Sequence, residues 1–234
     1  MKPSAEQQRS LAQLAKGYED QIDEATVSYL ADRGIDRSAV RTFHLGLVRD
    51  PAPGHSTFAG RLSVPYITPL GARTIKFRCL EQHRCDEIGC PKYMGIEGSK
   101  PHMYNAMALI EGPQVIAICE GELDAVVCQT TLGLPAVAVP GVGAWLPHFA
   151  RMFAGIPRVL IVTDNDDPKK RKQCWDEVCQ RNEECRGHSP GRDLAKRVAR
   201  DVEQAVVMHP PKGHDLTSWY QAEGLDAVRK GIGL

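Results

Sequence analysis

No stretch of this chain is apolar for long enough to cross a membrane. The polar, helix-patterned opening MKPSAEQQRSLAQLAKGYEDQ lacks the apolar segment of a secretory signal. The expectation from these absences is a protein made and kept in the cytoplasm, with no membrane partner. An excess of one charge sign is also missing. The 29 Lys and Arg are matched by 29 Asp and Glu, so the molecule as a whole is no general binder of polyanions. Internal repeats and low-complexity tracts are absent, which sets aside solenoids and arrays. The eight cysteines include no paired C-x₂-C knuckles, and a reducing compartment excludes a disulfide framework.

What is present suits an ordinary globular protein. The 234 residues, 42% of them hydrophobic, can bury a core as one large domain or two small ones. Charge is unevenly spread: residues 168–200 hold ten Lys or Arg against five acids, a band suited to a phosphate-bearing partner or to solvation. Lys169, Lys170 and Arg192 are its candidate phosphate ligands.

The first part reads as helices, DEATVSYLADRG and RSAVRTF, the second capped by Asp36. RLSVPYIT and ARTIKFR then flank Pro69–Gly71 as a hairpin. From residue 113 short apolar strands (QVIAIC, PAVAV, RVLIVT, QAVVMH) alternate with helices, including ELDAVVCQTTLG, WLPHFARMF and GRDLAKRVARDV. That alternation predicts a mostly parallel sheet with helices on both faces, and its ligands belong at the strands' carboxyl ends. The expected class is α/β: an α+β part over 1–111, then a parallel-sheet unit over 112–234 with a Cys/His insertion at 168–190.

Two strand ends carry acids. QVIAIC runs into Glu120 and Gly121, and RVLIVT runs into Asp164, Asn165, Asp166 and Asp167. If the strands are parallel, Glu120 and the Asp164/Asp166 pair meet at one edge. They offer hard oxygens suited to Mg²⁺ or Mn²⁺, the ions of phosphoryl and nucleotidyl transfer. Asp215, after QAVVMH, can join them. Asp167 is expected to be a turn residue. The plainer alternative is helix capping, which Glu122 or Asp124 can supply to AVVCQ.

At these residues the chain resembles a family. E-G-E-x-D-A (120–125) and T-D-N-D-D (163–167) look like the two signatures of the Toprim domain. The segments YLADRGIDRSAVRTFHLG, GRLSVPYITPLGARTIKFRCL, PKYMG and MYNAMAL resemble, in order, the catalytic core of bacterial-type DNA primases. The resemblance covers roughly residues 24–230. It implies synthesis of short RNA primers on single-stranded DNA from NTPs, with Mg²⁺ or Mn²⁺. By matching motif positions it implies Glu120 as acid/base or metal-linked residue, Asp164, Asp166 and Asp215 as metal ligands, and Arg78, Lys92, Tyr93 and Asn105 along the nucleotide and template groove. Thr217 stands where the family's second late acid would be, which leaves one or two metals open. No zinc-ribbon or helicase-docking segment is recognisable, so a separate initiation factor and a separate replicative helicase are expected partners, as for a compact phage primase. A non-catalytic Toprim module binding nucleic acid or a replication partner, and a Toprim nuclease, are the alternatives.

Two cysteine groups lie apart from these motifs. Cys79, His83, Cys85 and Cys90 follow C-x₃-H-x-C-x₄-C, while Cys174, Cys179, Cys185 and His188 follow C-x₄-C-x₅-C-x₂-H. Each offers three thiolates and one imidazole, the inventory of a structural zinc site; reduced, unliganded thiols are the alternative. Cys119 and Cys128 sit in apolar contexts and are expected in the core.

Overall fold

The computed structural model describes residues 5–141, 143–170, 179, 185 and 187–234. The chain opens with α1 (Ala5–Glu19), α2 (Glu24–Ala31) and α3 (Arg37–Thr42). Local chemistry sets the starts of the last two. Asp23 accepts the Thr26 N–H at 2.8 Å and Asp36 accepts the Ala39 N–H at 2.7 Å, each filling an orphan donor of a first turn.

Four antiparallel strands follow: β1 (Gly46–Leu47), β2 (Leu62–Thr68), β3 (Gly71–Arg78) and β4 (Tyr93–Gly95), paired in that order. Pro65 is tolerated within β2 because β1 reaches only Leu62 and Ser63, so the strand has one neighbour at the proline. A single-turn helix α4 (Cys85–Ile88) lies in the β3–β4 connection.

The second sheet is wholly parallel. Its strands β5 (Val115–Cys119), β6 (Ala136–Ala138), β7 (Arg158–Val162) and β8 (Ala205–Met208) stand in the order β6-β5-β7-β8. The side chains of β5 and β7 alternate between two cores. Ala117, Cys119, Leu160 and Val162 face one, with α5 (Glu122–Thr130) and α7 (Leu216–Gly231, broken at Gly224). Ile116, Ile118, Val159 and Ile161 face the other, with Phe149, Phe153 and α6 (Pro190–Asp201). Burial on both faces explains why these strands read as unbroken apolar runs.

The first core also takes Leu62, Val64 and Tyr66 from β2, so the two sheets share buried side chains. A third core, with Tyr18, Phe58, Ile75 and Phe77, lies between α1 and the antiparallel sheet. The mixed α/β architecture matches the expected class. One element differs: WLPHFARMF is a 3₁₀ helix over Pro147–Phe153 rather than an α-helix. Cys119 and Cys128 are fully buried.

Candidate active site

In the strand order β6-β5-β7-β8 the chain leaves β5 toward one side and β7 toward the other, so the crevice above their carboxyl ends is a switch point. Cys119 is in register with Val162. Glu120 and Asp164 follow just beyond this pair, and the Asp164 N–H donates to Glu120 Oε2 at 3.2 Å.

Three carboxylates converge there: Asp124, Asp164 and Asp215 each present an oxygen within 4.8 Å of the others. Asp124, which lies in the E-G-E-x-D-A motif and was otherwise an alternative helix cap, is one of them. It caps nothing. It sits at the third position of α5, where Cα–Cβ bonds tilt toward the helix start and hence toward the strand ends. It accepts the Thr217 hydroxyl at 2.6 Å and the Thr217 N–H at 3.3 Å. Glu122 is no cap either; it is a buried ion-pair partner of Lys76 at 2.7 Å and accepts the Tyr66 hydroxyl. Asp215 does both jobs. One oxygen accepts the Ser218 N–H at 2.6 Å in a capping box at the start of α7, and the carboxylate still reaches the triad.

Asn165 explains how Asp215 is brought in. Its buried carboxamide donates to Pro210 O at 2.7 Å, its N–H to His214 O, and its C=O accepts from Gly213 N–H. The 210–214 segment is thereby tied to the end of β7. Two glycines permit the close packing. A Cβ on Gly121 would stand 2.7 Å from Asp124 Oδ2, and one on Gly191 would stand 2.5 Å from Asp164 O and 2.6 Å from Glu120 Oε2.

Burial and mutual repulsion shape the charges. Burial first, then the neighbouring Glu120, Asp124 and Asp215, push Asp164 up to about 8. Burial and then Asp124 and Asp166 push Glu120 to about 7, against the Asp164 N–H and Lys92. Burial and Asp215 push Asp124 to about 6, against its bonds from Thr217. A half-buried set of carboxylates that resists its own ionisation, with only oxygen donors, fits a hard dication such as Mg²⁺ or Mn²⁺.

The triad opens into a cleft of about 420 Å³ whose other wall carries Arg33, Lys76, Arg78 and Lys92. Arg78 donates to Tyr93 Oη at 2.8 Å and to Tyr29 Oη at 3.4 Å, so Tyr93 holds the guanidinium in place. Arg33 and Lys76 were missed by sequence reasoning, since nothing in their local context marks them.

The remaining expected site residues are less central. Asp166 is exposed and outside the triad, acting on it only through its charge. Asp167 pairs with Lys212 at 2.9 Å on the surface. Asn105 lies away from the cleft, its amide spent on Gln129 Oε1 and Ala136 O. Arg192 donates to Asn165 Oδ1 at 2.8 Å, bracing the acid-bearing segment. Lys169 lines an adjoining cavity, and Lys170 is exposed. Arg171, Lys172, Arg181 and Arg186 of the basic band lie outside the described residues.

Cys79, His83, Cys85 and Cys90 come together with all four donors within 4.8 Å of one another. Cys179, Cys185 and His188 do likewise; Cys174 lies outside the described residues. Lys169 and His188 exchange backbone hydrogen bonds of 3.0 and 2.9 Å where the chain leaves and re-enters this insertion.

No protein-family model matches the chain. Solved structures do. The Aquifex aeolicus primase (zinc-binding and RNA polymerase domains) superposes with a TM-score of 0.70 at 17% identity, covering 99% of this chain. This chain spans 62% of that one. A DnaG primase catalytic domain bound to single-stranded DNA gives 0.67 at 19% identity, covering 98% of this chain and 80% of that one. The fold is thus that of the bacterial primase catalytic core. By sequence the chain is 33% identical over 175 residues to the Gene 57 protein of Mycobacterium phage D29, covering 75% of this chain and 99% of the phage protein. The chain belongs to the family of that phage protein.

Proposed function

We propose that the protein is a DNA primase, a nucleotidyltransferase that makes short RNA primers on single-stranded DNA from NTPs. The observation that carries this reading is the convergence of Asp124, Asp164 and Asp215, beside Glu120, on a cleft faced by Arg33, Arg78 and Lys92. The fold shared with primase cores, one of them bound to single-stranded DNA, supports it. Within this reading residues 1–111 form the primase-type N-terminal part and 112–234 a Toprim unit, working in the cytoplasm.

Asp124, Asp164 and Asp215 would hold Mg²⁺ or Mn²⁺, and Asp166 stands outside the direct ligands. When bound, the ion supplies charge neutralisation at the triphosphate. The rest is done by this chain. Arg33, Arg78 and Lys92 bind phosphate oxygens from the opposite wall, and the Arg78–Tyr93 bond fixes the geometry of that grip. Glu120, with a pKa of about 7, is poised to take the proton of an attacking hydroxyl near neutral pH. The Asp164 N–H keeps its carboxylate aimed at the crevice. The group of Cys179, Cys185 and His188 would hold a structural zinc ion independently of this chemistry.

Purified protein with a random-sequence template, NTPs and Mg²⁺ or Mn²⁺ is expected to yield short RNA. Asp124→Asn and Asp164→Asn are each expected to lower the yield by at least about 100-fold, the scale of losing a key electrostatic group. Robust product from Asp164→Asn, or DNA binding with no primer under either metal, would overturn the assignment.

A further inference from the structure

The loop between β3 and β4 should not hold its shape unaided. Residues 79–90 read CLEQHRCDEIGC; Leu80 is only partly buried against the core and Ile88 is exposed. Yet the loop is closed at its base by Cys79 N–H to Lys92 O at 2.9 Å, and its one-turn helix ends on Gly89 in the left-handed region. Too little apolar area is buried to offset the ordering of its polar residues.

The donor geometry supplies the missing term. Zinc–sulfur bonds of about 2.3 Å and zinc–nitrogen bonds of about 2.0 Å give a tetrahedron with edges of about 3.8 Å between sulfurs and about 3.5 Å from sulfur to nitrogen. Cys79 and Cys90 Sγ are 3.7 Å apart. His83 Nε2 lies 3.6 Å from Cys79 Sγ and 3.3 Å from Cys85 Sγ. The sulfur separation is far beyond the roughly 2.05 Å of a disulfide. Three thiolates around a dication leave one net negative charge, and Arg61 answers it: its guanidinium reaches Cys90 Sγ at 3.5 Å and Pro91 O at 2.8 Å.

We propose that Cys79, His83, Cys85 and Cys90 hold one structural zinc ion, and that this ion fixes the lip of the groove through which single-stranded nucleic acid reaches the acids. The second half of this proposal rests on the primase reading; the zinc site does not. Lys92 stands two residues beyond Cys90, and Arg33, Arg78 and Lys92 line both the acidic cleft and the cavity beside the Cys/His loop. The two cavities thus share a basic wall, and the Cys/His loop lines the second of them.

Elemental analysis of wild-type, Cys85→Ser and Cys85→His protein tests the site. Cys85→Ser is expected to lose one equivalent of zinc per chain, while Cys85→His, which restores a ligand, retains it. Equal zinc in wild type and Cys85→Ser overturns the proposal. Should Cys85→Ser fail to fold, wild-type protein decides by alkylation and peptide mapping. Cys79, Cys85 and Cys90 are protected as purified and become reactive with a chelator; equal reactivity in both overturns the site. Fluorescence anisotropy with a labelled DNA oligonucleotide, without NTPs or Mg²⁺, tests the groove. Zinc loss weakens binding about tenfold, as for one or two lost phosphate contacts. Unchanged affinity after zinc loss overturns the groove role and leaves the zinc site standing, independently of any priming result.

Discussion

Burial and the neighbouring acids raise the pKa values of Glu120, Asp124 and Asp164 together. Glu120 at about 7 and Asp164 at about 8 stand well above their ordinary values of 4.5 and 3.8. A carboxyl whose pKa is raised by folding stabilises the fold below its unfolded value, and that contribution is lost as pH rises through the folded one. Without divalent ions the protein is therefore expected to lose thermal stability between about pH 4 and pH 8. Mg²⁺ should restore it at the alkaline end. The same protons compete with the cation, so Mn²⁺ affinity measured by calorimetry should rise from pH 6 to pH 8, with proton release. A melting temperature that rises with pH in chelator would contradict this. Glu120 and Asp164 were readable in the sequence because each follows an apolar strand. Asp124 was hidden by its plausibility as a cap, and Asn165 because its partners at 210–214 lie some 45 residues away.

Among the elements, α6 depends closely on one glycine. Its Gly191 packs on the end of β7 with no room for a methyl group, and the nearest atom is the Asp164 backbone oxygen, which cannot swing aside. Gly191→Ala is expected to displace Asp164 or Glu120 and to cut primer synthesis at least tenfold, as small misplacements of reacting groups do. Oligonucleotide affinity, set by the basic wall, should change little; an unaltered priming rate would refute the packing argument. The strands that carry the acids were legible because burial on both faces demands continuous apolar runs. The geometry of 147–153 was not, because at seven residues α and 3₁₀ turns serve the buried Phe149 and Phe153 almost equally well.

At the level of the whole molecule, the two sheets are joined by a buried polar link as well as by a shared core. Lys76 on β3 bonds Glu122 at the start of α5 and Pro140 O beyond β6. The basic wall is thus fastened to the acidic edge it faces. Lys76→Met would leave Glu122 buried with the Tyr66 hydroxyl as its remaining partner, and should cost about 3 kcal/mol in urea unfolding. The double variant Lys76→Met/Glu122→Gln should recover part of that loss; a double-variant cost equal to the sum of the two single-variant costs would show that the pair is not coupled. No sequence pattern announced this link, because Lys76 and Glu122 are 46 residues apart and each looks like an ordinary surface charge in its own segment.

The paired hydrogen bonds between Lys169 and His188 have a historical consequence. Because the chain departs and returns at one point, the cost of closing the excursion grows only with the logarithm of its length. Descendants of this gene can therefore lengthen, shorten or exchange what lies between those residues while Asp164 and α6 keep their places. The neck is where the family can acquire new attachments without renegotiating its chemistry.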